Sequence, residues 1–279
     1  MKKILFSILF LFFVQSEANS KSILIKPKQL LDVRSGKMIN ADILIESGVI
    51  KEVSRNIPVL IEYEIIELPD TTILPGLMDA HVHLTGNTDL KGHEGISESS
   101  YLATIYGVKN AKQTLLSGFT TVRNVGASNY SDVALRDGIE QKAILGPTLL
   151  VSGPPLGITG GHCDSNILPA EYEYKAQGVA DGPWEVRRKV RENKKYGVDL
   201  IKYCATGGVM SKGTNVNNRQ YTLDEMKAIV DEAHTLGMKV AAHAHGLDGI
   251  RMAIDAGVDS VEHSSLIDQE TVNLAISNN

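Results

Sequence analysis

Apolar residues change their spacing three times along the chain, and each change marks a different kind of segment. The first begins Met1-Lys2-Lys3 and continues into eleven residues, Ile4 to Val14 (ILFSILFLFFV), that are apolar apart from one serine. Small residues at Ser16 and Ala18 then frame a cleavage point after Ala18. A basic start, a short apolar run and small residues are the layout of a secretory signal peptide over residues 1–18. Spanning a bilayer takes about 20 apolar residues, so the run is too short for a membrane helix. Between residues 19 and 70 the apolar positions fall in short strand-like pieces, SILIK, ADILIE, VIKEVS and YEIIEL, with Gly36, Gly48 and Pro58 as turn signals between them. From residue 71 the pattern becomes a regular alternation. The strand-like runs TILPGLMDAHVHL, FTTVRNVG, PTLLVSG, DLIKYCAT, KVAAHAHG and DSVEHSS are each followed by a helical stretch, near 99–117, 131–143, 184–196, 223–236, 247–256 and from 268 onward. Strict strand–helix alternation predicts an α/β domain with a parallel sheet and helices outside it. A (β/α)8 TIM-type barrel has eight such units. Residues 71–279 supply about six, so the barrel is expected to be incomplete at its C-terminal end.

Composition narrows the class of partner. Of 279 residues, 43% are hydrophobic and 22% charged, which is ordinary for a globular protein. The net charge is −5. Nucleic acids and anionic membranes need a basic face to neutralise phosphate, so neither is an expected partner. Two cysteines, Cys163 and Cys204, cannot form a disulfide framework. In an exported protein, secreted or periplasmic, they could oxidise, although the sequence does not say that they do.

The chemistry-bearing residues gather where a barrel does its work, at the C-terminal ends of the strands. Six of the eight histidines lie there: His81 and His83 in HVH, His162 in the loop after the third strand, His243 and His245 in HAH, and His263. Residues two apart on a strand share a face. Each HxH pair therefore points one way, and imidazoles converging on one cavity suit zinc or a similar metal. Lys202 sits in the apolar fourth strand, where a buried ammonium is costly unless paired or modified. Asp79 could orient a histidine ring or be a plain strand-end carboxylate. Arg123, on the second strand, could bind a substrate carboxylate bidentately or form a structural salt bridge. The two cysteines, near Lys202 and His162, read better as packing residues than as ligands.

These strings resemble a known family. Pro75-Gly76-Leu77-Met78-Asp79-Ala80-His81-Val82-His83 is similar to the first barrel strand of the amidohydrolase superfamily. TTVRNVG, GITGGHCD, IKYCATGGVMS, VAAHAHG and SVEH resemble its branch of metal-dependent dipeptidases and carboxypeptidases. That branch includes Xaa-Pro (prolidase-like) enzymes and enzymes releasing C-terminal Arg or Lys, and GITGGHCD and KYCATGGVMS favour the Arg/Lys type. The resemblance implies a small flanking β-sandwich built from both termini, with residues 19–70 as its N-terminal part. It implies two divalent metals, usually zinc, one held by His81 and His83 and the other by His243 and His263. Lys202, carboxylated by CO2 to a carbamate, would bridge them, and a bridging hydroxide would attack a scissile amide. It also implies that His162 and His245 contact the substrate's carbonyl or carboxylate. The expected partners are a small peptide or N-acyl amino acid as substrate, and further copies of the chain.

One part of the family pattern is missing. It requires an Asp at the end of an eighth strand, as metal ligand and proton shuttle. Asp268 opens the helix after the sixth strand and is a poor substitute. The expectation is therefore an N-terminal piece of a longer enzyme. Three readings follow: a peptide or N-acyl amino acid hydrolase, a cyclic-amide hydrolase with the same metal site, and an inactive truncated fragment.

Overall fold

The computed structural model describes residues 22–90 and 93–278, so the leader-like stretch 1–18 lies outside the described residues. Within them no helix is long and apolar enough to cross a membrane. The chain divides into two compact units at Pro75/Gly76.

The N-terminal unit is built on one five-stranded sheet. Its strands are β1 (Ile23–Asp32), β2 (Lys37–Ile39), β3 (Asp42–Glu46), β4 (Val49–Ser54) and β5 (Glu64–Ile73). The ten-residue β1 is the spine. Its first half pairs antiparallel with β3, its second half with β2, and its other edge runs parallel to β5. Alternation along the strands buries two clusters, Leu24 with Leu44 and Ile57, and Leu30 with Ala41 and Ile43. The unit ends five residues later than the expected boundary at 70, because β5 keeps pairing with β1 through Thr72 and Ile73.

The second unit alternates strands and helices. Its strands are β6 (Leu77–Val82), β7 (Phe119–Asn124), β8 (Thr148–Val151), β9 (Leu200–Cys204), β10 (Lys239–Ala244) and β11 (Ser260–His263). Helices α1 (His93–Ser97) and α2 (Ser100–Leu116) follow β6; α3 (Ser131–Glu140), α4 (Pro183–Lys195), α5 (Leu223–Thr235), α6 (Leu247–Asp255) and α7 (Gln269–Ser277) follow the other strands in turn. All neighbouring strands run parallel, in the orders β6-β7-β8 and β9-β10-β11. Leu156, just past β8, stitches the two triplets together: its N–H donates to Lys202 O at 2.8 Å, and its carbonyl accepts from Cys204 N at 2.9 Å. In a flat sheet the first and sixth strands would be roughly 24 Å apart at ~4.8 Å per strand. Instead the side chains of His81 on β6 and Glu262 on β11 are hydrogen-bonded at 2.7 Å. The strands therefore curl round on themselves in the manner of a barrel, over a core that includes Val122, Val151, Ile201, Tyr203, Val240 and Ala242.

Candidate active site

Curling brings the strand ends to one place. His81, His83, His162, Lys202, His243, His245 and His263 all line a single cavity of about 960 Å³. The rings form a continuous set. His263 lies 4.7 Å from His81, 4.6 Å from His243 and 4.7 Å from His245, centroid to centroid. His83 is 5.5 Å from His81, and His162 is 4.2 Å from His243. The nitrogens of His243, His245 and His263 lie within 4.8 Å of one another, close enough to share one ion. That trio includes His245, which the sequence marked as a substrate contact; either role suits a neutral imidazole.

Hydrogen bonding fixes which nitrogen of each ring stays available. His81 Nδ1–H donates to Glu262 Oε2 at 2.7 Å, and His83 Nδ1–H donates to Gly126 O at 3.2 Å. His243 Nε2–H donates to Gly207 O at 3.3 Å. An acceptor on one nitrogen holds the tautomer and leaves the lone pair of the other for a metal. Burial keeps these rings neutral, as a ligand must be. Desolvation, with neighbouring His162, pushes His243 down to about 2. Desolvation and the nearby His81 and His245 hold His263 at about 4. Desolvation likewise lowers His83.

Lys202 is 3% exposed, between buried neighbours on both sides. Burial pushes its ammonium down to about 8; Glu262 works against that shift and Arg123 with it. A neutral amine is the form that adds CO2, so the site suits a carbamate. Together the donor set fits a divalent-metal centre: neutral imidazoles with free lone pairs around a buried lysine.

The loop after β8 carries His162, and several contacts pin it. Its backbone N–H donates to Gln220 Oε1 at 3.0 Å, and its Nδ1 pairs with Ser211 Oγ at 2.8 Å. Its ring packs directly on Gly208, where an added Cβ would sit 2.2 Å from the imidazole. Beside it, Cys163 is disulfide-bonded to Cys204 of β9. The packing role expected of the two cysteines is thus replaced by a covalent tie across the cavity wall.

Two expectations change. Arg123 is not among the cavity-lining residues. Its guanidinium donates to Ala80 O at 2.7 Å, to Glu262 Oε1 at 2.6 Å and to Ser260 Oγ at 3.2 Å, so it is the structural salt bridge and not a substrate contact. Asp79 accepts from the backbone N–H of His81 at 2.9 Å; the ring of His81 is oriented by Glu262. Burial alone would raise the Glu262 carboxyl, but hydrogen bonds from His81 and Ser260 and the charges of Arg123 and Lys202 override it and hold it at about 2. Sequence alternation hides this role, since adjacent residues on a strand face opposite ways. The strand ends in left-handed backbone, φ 68° at His263 and 48° at Ser264, and that turn lets Glu262 and His263 both serve the site. Asp268 caps α7 by accepting from Thr271 N at 2.8 Å and pairs with Arg251.

Comparison with known proteins agrees with the site. Residues 72–279 match the profile of the Amidohydrolase family. Ochratoxinase from Aspergillus niger is 36% identical over 217 residues, which cover 71% of this chain and 44% of that protein. The crystal structure of a Xaa-Pro dipeptidase with methionine bound in its active site superposes with a TM-score of 0.84 at 36% identity, covering 92% of this chain and 65% of that one. A prolidase complexed with N-methylphosphonate-L-proline gives 0.82 at 31% identity, covering 92% and 64%. The chain thus spans about half the length of the curated relative and about two thirds of these structures.

Proposed function

Because the chain belongs to the amidohydrolase family, we propose that it carries the metal-binding part of a hydrolase that cleaves an amide bond and releases a C-terminal amino acid, Arg or Lys by preference, from dipeptides or N-acyl amino acids. The observation that carries this reading is the convergence of six histidines and one buried lysine on a single cavity at the ends of parallel strands. His81, His83, His243, His263 and a carboxylated Lys202 would hold two divalent ions, zinc by the nature of the donors. Such ions, when bound, supply an activated water at neutral pH and polarise the scissile carbonyl. The chain's own residues do the rest. Glu262, Gly126 O and Gly207 O hold the ligand rings in one tautomer. His162 and His245, fixed through Ser211 and Ser265, present ring nitrogens to the substrate's carbonyl or carboxylate. Buried Lys202 turns from a cation into an anion on carboxylation and offsets the metal charge. In the family pattern an Asp at the end of an eighth strand protonates the leaving amine; the described strands number six in this unit and none ends in such an Asp. The full protein under this reading completes an eight-unit barrel and a flanking sandwich. An exported location is supported by the leader-like residues 1–18 and by the Cys163–Cys204 bond, which persists in oxidising compartments.

A second reading, Xaa-Pro dipeptidase, is favoured by the superposition on the Xaa-Pro dipeptidase. Hydrolysis of Xaa-Arg, Xaa-Lys, Xaa-Pro, lactam and lactone substrates by zinc-loaded protein separates the readings. We expect release of Arg and Lys fastest, with activity and bound metal both lost on chelation and in Lys202→Ala. Two bound metals with no turnover across the panel would overturn the hydrolase reading.

A further inference from the structure

Two carboxylates line the cavity among the described residues, Asp164 and Glu98, and they are differently occupied. Both oxygens of Asp164 are engaged by backbone: Oδ2 accepts from Gly160 N and Oδ1 from Ala176 N, each at 2.9 Å. Glu98 stands just ahead of α2. Its Oε2 accepts from Asn87 N at 3.3 Å, and its Oε1 is sealed from solvent with no hydrogen-bond partner among the described residues. Buried polar atoms in folded proteins nearly always have partners, and a bare carboxylate oxygen is among the costliest exceptions. The cations in the same wall do not answer it. Lys175 lies 4.0 Å from Asp181, and Lys202 is influenced by Glu262 and Arg123. What is missing is a charged N–H donor from outside the chain.

We propose that Glu98 is the residue that selects a cationic side chain on the substrate, its Oε1 accepting a hydrogen bond from a guanidinium or ammonium. This rests on the amino-acid-releasing hydrolase proposed above, and adds the group that reads the released residue. The chemistry of the wall is consistent with such a side chain. Exposed Val209 and Met210 also line the cavity and offer apolar surface for the methylene stem of an arginine or lysine. A neutral side chain of the same length would leave Oε1 bare.

The test is titration calorimetry of the 279-residue chain with L-arginine and with L-citrulline, its uncharged near-isostere, on wild type and on Glu98→Gln. The expected result is tighter binding of arginine to wild type by about 10- to 100-fold, the value of a charge-assisted hydrogen bond. In Glu98→Gln that preference shrinks to within about twofold while citrulline binding is unchanged. Equal affinity of wild type for the two ligands overturns the proposal without any variant having to fold. So does a preference that survives Glu98→Gln, or an equal loss for both ligands in that variant. Failure of the parent reading looks different. Arginine preference through Glu98 with no peptide hydrolysis leaves the pocket assignment standing and removes the reaction. Hydrolysis of dipeptides with no arginine preference does the reverse.

Discussion

At the scale of single residues, a carboxylate that is not expected to touch metal or substrate organises the site. Glu262, 7% exposed, takes His81 on one oxygen and Arg123 on the other. Because its partners hold it at about 2, against 4.5 for an ordinary glutamate, the folded state favours its ionised form. Its contribution to stability is therefore complete above about pH 4.5 and disappears as pH falls towards 2. Glu262→Gln should be less stable than wild type by a constant margin near neutrality. That margin should close between about pH 4.5 and 2 when thermal unfolding is followed in chelator. A margin independent of pH would mean the carboxylate's charge is irrelevant. The histidines were legible from the sequence because HxH spacing and strand-end placement both point to metal. Glu262 and the ion-paired Arg123 were not, because their partners lie 181 and 139 residues away and no local pattern connects them.

At the scale of elements, the helices read more clearly than the loops. The start of α5 is written in the chain as Thr222 and Glu225, and the structure closes it as a capping box. Glu225 N donates to Thr222 Oγ1 at 3.4 Å, and Thr222 N donates to Glu225 Oε2 at 2.8 Å. Glu225 also takes the Gly182 N–H ahead of α4 at 2.7 Å, so one side chain serves two helix starts. Thr222→Ala should cost about 1 kcal/mol of stability, read as a lower urea midpoint with an unchanged slope. An unshifted midpoint would show that the cap is redundant. By contrast, α3 begins after Tyr130, at φ 56° and with no side-chain cap, which no propensity signals. Strand β2 was missed for a related reason. Three residues have no period of their own, and they are strand only because the far half of β1 pairs with them. The run TILPGLMDAHVHL, read as one strand, is two: Thr72 and Ile73 close β5, and β6 starts at Leu77. Pro75, which lacks an N–H to donate to a ladder, lies between them.

At the scale of the whole molecule, alternation of strand and helix was enough to anticipate the parallel order of the second unit. The covalent tie across its cavity wall was beyond sequence, since two cysteines 41 residues apart become partners only when the β8 loop folds back on β9. Closing a loop of that length by a disulfide is worth about 2–4 kcal/mol through the unfolded chain. A Cys163→Ser, Cys204→Ser double variant should lose about that much in urea unfolding, and reductant should bring wild type down to the same level. Wild type indifferent to reductant would show the bond to be absent in solution. The His81–Glu262 contact carries a different consequence, one of timing. A chain made from its N-terminus can form β6 early, yet the carboxylate that seats His81 is added 181 residues later. Contacts of such long range are the slowest to form, because the loop between them must close first. A nascent chain shorter than 262 residues therefore holds both imidazoles of HVH without the partner that aims the first of them, and the metal centre can mature only once nearly the whole of this sequence has been synthesised.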